Sequence, residues 1–376
     1  MRRVLLVMLI TILGVAGLEG VARLVAAGSH QFDRPFLAGG NHERFLFVAD
    51  ATKHYALRPL FAGVDRCADF EVEVCISTQG LRDRERPLAD AAALRVLGVG
   101  DSFTYGEGVP VEESYLARLE QALQEAALNT DVIKAGVPGY GISQLVTQAR
   151  ELLPVYRPQV LLVGLFHSEL GRDDDPYVYK EGFIVRRSYA ERLELVNGNL
   201  WFSPYEQAAM RALHVHLLGY SYLARWLTRL TAPSPPPLRA EPVRKPSPEE
   251  VKRRLDEVLA VPKSLLAELA SECERRNCRL LVLLVPEKRE NWAVVPNSHA
   301  VADDLVAWAG SCGIEVLDLR NAMGRFWNDR DAYYFAHDAH WNAQGHAVAG
   351  AAITHKLTEL LRCGKVVPDN SAGRQR

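Results

Sequence analysis

The chain has 376 residues, of which 48% are hydrophobic and 24% are charged. This composition excludes overall disorder, and the length allows a large core in one or two domains. The formal net charge of −2 and the lack of a Lys/Arg stripe with interleaved aromatic residues argue against a nucleic-acid partner.

The first element predicted is an apolar helix at the amino terminus. Arg2 and Arg3 precede an uncharged run from Val4 to Leu18, which is the layout of a secretory signal or a signal anchor with its basic end inside. The run is short for a full span of about 20 residues, and extending it takes in Glu19 and Arg23. We favour an uncleaved anchor over a cleaved signal, and a buried soluble helix is the third alternative. An anchor places the body at the membrane, on the periplasmic or extracellular side, and a cleaved signal makes the protein secreted.

Five apolar, β-rich runs follow along the chain. Their apolarity is continuous rather than alternating, which favours strands covered on both faces and hence a parallel sheet. Amphipathic helical patterns separate them, so we predict a three-layer α/β/α domain with right-handed crossovers. The predicted strands are 94–100, 131–137, 159–166, 279–286 and 314–319.

The organisation of the chain follows from these runs. An insertion interrupts the α/β domain after its third strand, and it contains a predicted hairpin with Asn197-Gly198 at its turn. The predicted regions are a signal anchor or signal peptide at 1–28, an amino-terminal lead-in at 29–93, the α/β domain at 94–364 with its insertion at 170–247, and a tail at 365–376.

Six cysteines are compatible with an exported protein. Cys67 and Cys75 flank a short strand-like stretch, so a local disulfide is one expectation. Cys278 and Cys312 each precede a predicted core strand, and parallel neighbouring strands would bring them close enough to bridge. Free, buried cysteines are the alternative for some or all of them.

A serine and a histidine–aspartate pair carry the chemistry. Ser102 follows the first core strand, in "GDSFTYGEGV", where open α/β folds place their ligands. A serine needs a base held by a third group. Asp338 and His340, in "DAHWNAQGH", supply that pair, since the aspartate can hold the imidazole in one tautomer.

Three blocks, "GDSFTYGEGV", "AGVPGYGISQ" and "DAHWNAQGH", resemble those of the SGNH/GDSL hydrolase superfamily over residues 94 to 362. The Asp-x-His-Trp-Asn variant is similar to that of alginate O-acetyltransferase-like, membrane-anchored members. The resemblance implies a flavodoxin-like sandwich that hydrolyses or transfers acyl esters. It implies Ser102 as the nucleophile, His340 as the general base and Asp338 as its orienting acid.

The resemblance also implies an oxyanion hole. The backbone N–H groups of Ser102 and Gly139 match two of its donors, with Gly141 as a less favoured choice for the second. The family usually offers an asparagine after the third strand, whereas this chain has Ser168 or Glu169 at that place. A serine hydroxyl could still donate one hydrogen bond, so Ser168 is our candidate, with His167 as a possible substitute donor.

No metal or cofactor is predicted, because "HDAH" lacks a clear third ligand. His337 occupies the family's more common position for the aspartate, and we expect His346 to have a packing or capping role. The leading hypothesis is a serine esterase acting on O-acyl groups of carbohydrate. A polysaccharide O-acetyltransferase and a non-catalytic module that binds a glycan or a protein partner are the alternatives, and a lipid or small ester remains open as substrate. The sequence does not determine the oligomeric state.

Overall fold

A computed structural model describes residues 2–27, 45–67, 69–88, 94–166, 170, 177–196, 199–203, 205–231, 247–288, 298–324 and 331–368. The chain forms two compact units. The small unit comprises Met1–Gly40 and Val185–Val243, and the large unit comprises Asn41–Ile184 and Arg244–Arg376.

Strands and helices alternate through most of the large unit. The strands of the described residues are β1 (Phe47–Asp50), β2 (His54–Leu57), β3 (Ala62–Arg66), β4 (Glu71–Cys75), β5 (Leu94–Gly100), β6 (Thr130–Gly136), β7 (Val160–Phe166), β8 (Tyr177–Lys180), β9 (Phe183–Arg186), β10 (Leu193–Val196), β11 (Asn199–Phe202), β12 (Arg279–Val285) and β13 (Glu315–Asp318). The α-helices are α1 (Arg2–Ala27), α2 (Ser102–Tyr105), α3 (Tyr115–Glu125), α4 (Ile142–Tyr156), α5 (Ala208–Tyr220), α6 (Tyr222–Thr231), α7 (Pro248–Arg275), α8 (Ser298–Ser311), α9 (Arg320–Met323) and α10 (Ala343–Arg362).

The five predicted core strands form one parallel sheet in the order β13-β12-β7-β5-β6. Each lies within one residue of its predicted bounds. Numbered one to five in chain order, the strands lie side by side as 2-1-3-4-5, which is the flavodoxin-like order. Its switch point lies between the first and third strands, here β5 and β7. The predicted three-layer α/β/α fold is confirmed.

The sheet is buried on both faces because its strands send alternate side chains into two cores. Leu94 and Val96 of β5 pack on one face with side chains of α3 and α10. Leu97 and Val99 pack on the other with side chains of α4, α7 and α8. This arrangement explains why the strands read as continuous apolar runs.

Three adjacent strands carry glycines that lie side by side, at or near their carboxyl ends. Gly100 of β5 pairs in register with Gly136 of β6 and with Gly164 of β7. A Cβ on Gly100 would lie 1.8 Å from Thr104 Oγ1, and one on Gly136 would lie 2.1 Å from the backbone nitrogen of Tyr105. We call this trio the glycine floor. It lets α2 lie directly against the ends of the three strands.

The predicted disulfides are not formed, and all six cysteines are free thiols. In the β3–β4 hairpin Cys75 pairs with Ala62, at the far end from the turn where Cys67 lies, so these two cysteines are held apart. Cys278 is buried in the core beside Cys273, whereas Cys312 is exposed. The pairing of β12 with β13 begins at Leu281↔Glu315, and Cys312 lies before it, in the turn that ends α8.

The small unit holds the amino-terminal helix and part of the insertion. The predicted hairpin is present as β10 and β11, which pair from Leu193↔Phe202 to Val196↔Asn199. Its turn residues, 197 and 198, lie outside the described residues. Helix α5 packs on this hairpin, and α6 packs against both α5 and α1.

Candidate active site

Ser102 is the first residue of α2, at the carboxyl end of β5. Asp101 caps the helix, and its side chain accepts a hydrogen bond of 3.0 Å from the N–H of Phe103. Because an N-terminal helical residue leaves its own N–H unused, that group of Ser102 has no partner among the described residues. Ser102 therefore offers both a half-buried hydroxyl and an N–H without a partner among the described residues.

The end of α2 is held by Arg82, which comes from the segment after β4. Its guanidinium donates to the carbonyls of Tyr105, Gly106 and Val109 at 3.1, 2.6 and 2.8 Å. Gly106 ends the helix with φ +81°, the left-handed conformation that glycine adopts at low cost. The turn that carries Ser102 is therefore fixed at both ends.

His340 joins Ser102 to Asp338. Its Nε2 lies 2.7 Å from Ser102 Oγ, and its Nδ1 lies 2.5 Å from Asp338 Oδ1. The same carboxylate oxygen accepts the backbone N–H of His340 at 2.8 Å. The structure thus brings together the three side chains singled out in the sequence, in the geometry that a nucleophile, a base and an orienting acid require.

The rest of the "DAHWN" block has a structural role. Trp341 is fully buried, with its ring edge-on to Phe103 at 5.0 Å and to Tyr115 at 6.1 Å. Asn342 caps α10, since its Oδ1 accepts from the N–H groups of Gln344 and Gly345. These contacts fix the chain on the carboxyl side of His340.

Lys288, which follows β12, holds the other side of this loop. Its ammonium donates to the carbonyls of Phe335, Ala336 and Asp338. Burial alone would raise the pKa of the Asp338 carboxyl. The hydrogen bonds and charge of His340, followed by the charge of Lys288, outweigh burial and hold that pKa below its ordinary value.

A second carboxylate faces the imidazole. Glu107 is buried in the turn after α2, and its Oε2 lies 3.5 Å from His340 Nε2. Burial of the imidazole lowers its pKa, but the charge of Glu107, then the hydrogen bond and charge of Asp338, and then the charge of Asp101 oppose it. The result is a His340 pKa raised to about 9.

We expect the Glu107→Gln variant to shift the pH profile of kcat/KM toward acid. A general base must be neutral, so with His340 in the role that the sequence predicts, the wild-type rate rises as pH approaches about 9, where the imidazole loses its proton. Removing one nearby negative charge lowers the His340 pKa, typically by about one to three units. The measurement is kcat/KM for a soluble ester from pH 5 to 10, and an unshifted inflection would show that Glu107 does not act on His340. Glu112→Gln, an exchange of an exposed carboxyl in the following 3₁₀ turn, is the control.

Gly139 lies in the turn between β6 and α4, with φ +77°. Among the described residues its N–H has no hydrogen-bond partner. The N–H of Gly141, by contrast, donates to the side chain of Gln144 at 3.0 Å. Of the two glycines considered, Gly139 is therefore the one with a free donor. The third predicted donor, Ser168, and its neighbours His167 and Glu169 lie outside the described residues.

His346 and His337, the neighbours of His340 in the sequence block, do not join the site. His346 is buried, accepts the N–H of Tyr115 at 3.3 Å and stacks on that ring, as expected for a capping and packing residue. Burial lowers its pKa to about 3, with help from the charge of Arg82. His337 is exposed and pairs with Asp69 at 2.8 Å.

One oxygen each of Glu107 and Asp338 and one nitrogen of His340 lie within 4.8 Å of one another, so these three could offer ligands to a cation. Both imidazole nitrogens are already hydrogen-bonded, to Asp338 and Ser102. A metal would have to displace one of these contacts, so the arrangement is better suited to proton transfer.

Sequence reasoning missed three residues of this site: Glu107, Lys288 and Arg82. Glu107 carries a signal in hindsight, since it is an acid placed between two glycines, five residues after the serine. Lys288 and Arg82 act through backbone carbonyls, and no residue pattern marks such contacts in advance.

The sequence model of the GDSL-like Lipase/Acylhydrolase family matches residues 99–348, a range that includes Ser102, Asp338 and His340. No curated protein matches the chain significantly.

Solved structures give distant likenesses. A lipase/acylhydrolase from Enterococcus faecalis is 11% identical over 74% of this chain and 100% of its own, with a TM-score of 0.42. The esterase EstA from Pseudoalteromonas sp. is 11% identical over 71% and 98%, with a TM-score of 0.39. Axe2, an acetylxylan esterase from Geobacillus stearothermophilus, is 12% identical over 71% and 95%, with a TM-score of 0.41.

Proposed function

Because the chain belongs to the GDSL-like lipase/acylhydrolase family and acts as an esterase on ester bonds, we propose that Ser102 is its nucleophile, His340 its general base and Asp338 the acid that orients the imidazole. The observation that carries this proposal is the contact of His340 with both other side chains, although Ser102 lies 238 residues away in the chain. The free N–H groups of Ser102 and Gly139 support their role as oxyanion donors.

The first half-reaction forms an acyl-enzyme. Ser102 Oγ attacks the ester carbonyl while its proton moves to His340 Nε2. The tetrahedral oxyanion accepts hydrogen bonds from the N–H groups of Ser102 and Gly139. As the C–O bond breaks, the leaving alcohol takes the proton from His340, and Asp338 stabilises the imidazolium in between. Ser102 then carries the acyl group.

In the second half-reaction His340 Nε2 takes a proton from water as the water oxygen attacks the acyl carbon. The bond from that carbon to Ser102 Oγ then breaks, Oγ takes the proton back from His340, and the carboxylic acid is released. A sugar hydroxyl in place of water would give acyl transfer instead. The Asp-x-His-Trp-Asn resemblance supports an O-acyl carbohydrate as substrate. An anchored enzyme that faces outward would meet such groups on cell-surface polysaccharide.

Helix α1 supports the proposed anchor. Its segment Leu5–Val25 is the one helix in the described part of the chain that is long and apolar enough to cross a membrane, and none of it is buried within the protein. Arg2 and Arg3 precede it, and basic residues at this end support a cytoplasmic amino terminus. The body of the protein then lies on the periplasmic or extracellular side.

Labelling with a fluorophosphonate tests the nucleophile. We expect wild type to be labelled and Ser102→Ala to be inert, whereas Ser264→Ala, which removes an exposed serine on α7, should be labelled like wild type. Folded wild type without serine-dependent labelling would refute the proposal and favour a non-catalytic module.

Acetate release from an acetylated oligosaccharide, with and without an acceptor glycan, separates hydrolysis from transfer. Transfer with negligible free acetate would identify a transferase.

A further inference from the structure

The small unit carries an apolar stripe along α5. Met210, Leu213, Leu217 and Tyr220 follow helical spacing and so share one side of the helix. Their side chains are 43–59% exposed. Spaced this way they form a continuous apolar strip, which on a soluble surface usually marks an interaction site.

The charged and buried residues of α5 lie on its other side. Val215 and Leu218 pack with Val196 and Trp201 of the hairpin, and Arg211 pairs with Glu194 on β10 at 2.9 Å. The stripe is therefore the outward, exposed side of α5, opposite the side that packs on the hairpin. On α6, Trp226 and Leu227 are also exposed. We refer to these six residues, the α5 stripe with Trp226 and Leu227, as the apolar face.

The apolar face begins where α1 ends. Glu19 of α1 caps α6, accepting the N–H groups of Tyr222 and Leu223 at 3.0 and 2.9 Å. Arg23 of α1 donates to Glu19 and to the carbonyl of Tyr220, the last residue of the stripe. The charges at this end of α1 are thus paired with each other and with the start of α6.

These contacts give the apolar face continuity with the proposed membrane span. Tyr220 and the amino terminus of α6 lie at the level of Glu19 and Arg23, inside the outer end of Leu5–Val25. Tyr and Trp side chains are favoured at the headgroup level of a bilayer, where an apolar ring and a polar edge are both accommodated. Exposed apolar side chains at that level lower their free energy by turning toward the acyl chains and out of water.

We propose that the apolar face rests on the lipid surface beside the emerging anchor, as a second membrane contact. The inference depends on the proposed anchoring by α1. It commits to phospholipid as the occupant. A protein partner or a second copy of the chain would instead cover the face without contact to acyl chains.

Quenching of tryptophan by brominated lipid tests the inference. The full-length chain is placed in vesicles of phosphatidylcholine and phosphatidylglycerol whose acyl chains are brominated near the headgroup. The signal of Trp226 is the difference between wild type and Trp226→Phe. We expect bromination to quench this difference by at least about half, and equal signals in brominated and plain vesicles would overturn the proposal.

The double variant Leu213→Gln/Leu217→Gln should lose most of that quenching, whereas Leu60→Gln, an exposed leucine of the large unit, should not. Hydrolysis of a soluble ester checks that both variants are folded. If the double variant does not fold, the difference between wild type and Trp226→Phe still decides whether the apolar face contacts lipid.

Alkaline extraction separates the anchor proposal from the lipid-contact proposal. A wild-type chain that washes off the vesicles overturns the anchor, and a chain that resists extraction with Trp226 unquenched overturns the lipid contact alone.

Discussion

Replacing Asp338 with Asn is expected to lower kcat by about 10⁴-fold, the usual cost of this exchange in a Ser-His-Asp arrangement. Asp338 Oδ1 accepts hydrogen bonds from His340 Nδ1 and from its backbone N–H. An asparagine amide can present N–H to Nδ1, which favours the tautomer whose Nε2 carries the proton. That tautomer has no lone pair to receive the proton of Ser102. The measurement is kcat with a soluble aryl acetate at pH 9.

Asp69→Asn is the matched control for this experiment. Asp69 also holds a histidine of the same loop, His337, through the ring and the backbone N–H, but this histidine is exposed and lies outside the site. Because the His337 ring is 76% exposed, solvent screens this pair, which is then worth about 0–1 kcal/mol, and we expect kcat to fall by no more than about fivefold. If Asp338→Asn behaved like this control, Asp338 would not be the orienting acid.

Replacing Trp341 with Ala is expected to lower the free energy of unfolding by about 3–5 kcal/mol, the range for removing a buried aromatic side chain. The indole contacts Phe103, Tyr115 and His346 in the core between the sheet, α3 and α10. The measurement is the urea midpoint of the purified protein.

Trp341→Phe, which keeps an aromatic ring, should recover more than half of this loss. Because Trp341 follows His340 directly, the alanine variant should also lose ester hydrolysis at temperatures where it remains folded. Wild-type stability in Trp341→Ala would contradict the packing role. Trp226→Ala, an exchange of an exposed tryptophan, provides the reference for a surface site.

The sequence predicted the sheet well because continuous apolar runs have one favourable environment, a strand covered on both faces. Gly100 to Phe103 were also predictable in kind, since a strand that ends at Gly-Asp-Ser must turn sharply. The way these residues pack on the sheet was not predictable. The three strand ends that form the glycine floor are far apart in the sequence, and only the strand register shows that Gly100, Gly136 and Gly164 are neighbours.

The electrostatics of the site could not be predicted from residue spacing. Glu107 acts on His340 across 3.5 Å because the turn after α2 and the loop before α10 meet at one sheet edge. The cysteine predictions failed for a related reason. The sequence pattern puts Cys278 and Cys312 just before neighbouring parallel strands, but it does not show that Cys312 lies in the exposed turn that ends α8 while Cys278 is buried.

The glycine floor also bears on how the enzyme meets its substrate. Main chain rather than rotatable side chains supports Ser102 from below, since Thr104 and Tyr105 rest on strand backbone. The conformational entropy of the proposed nucleophile is then lost during folding and not during substrate binding. Esters that differ only in their alcohol should therefore meet the Ser102 hydroxyl at the same position. Selectivity among them must then come from the side chains around it.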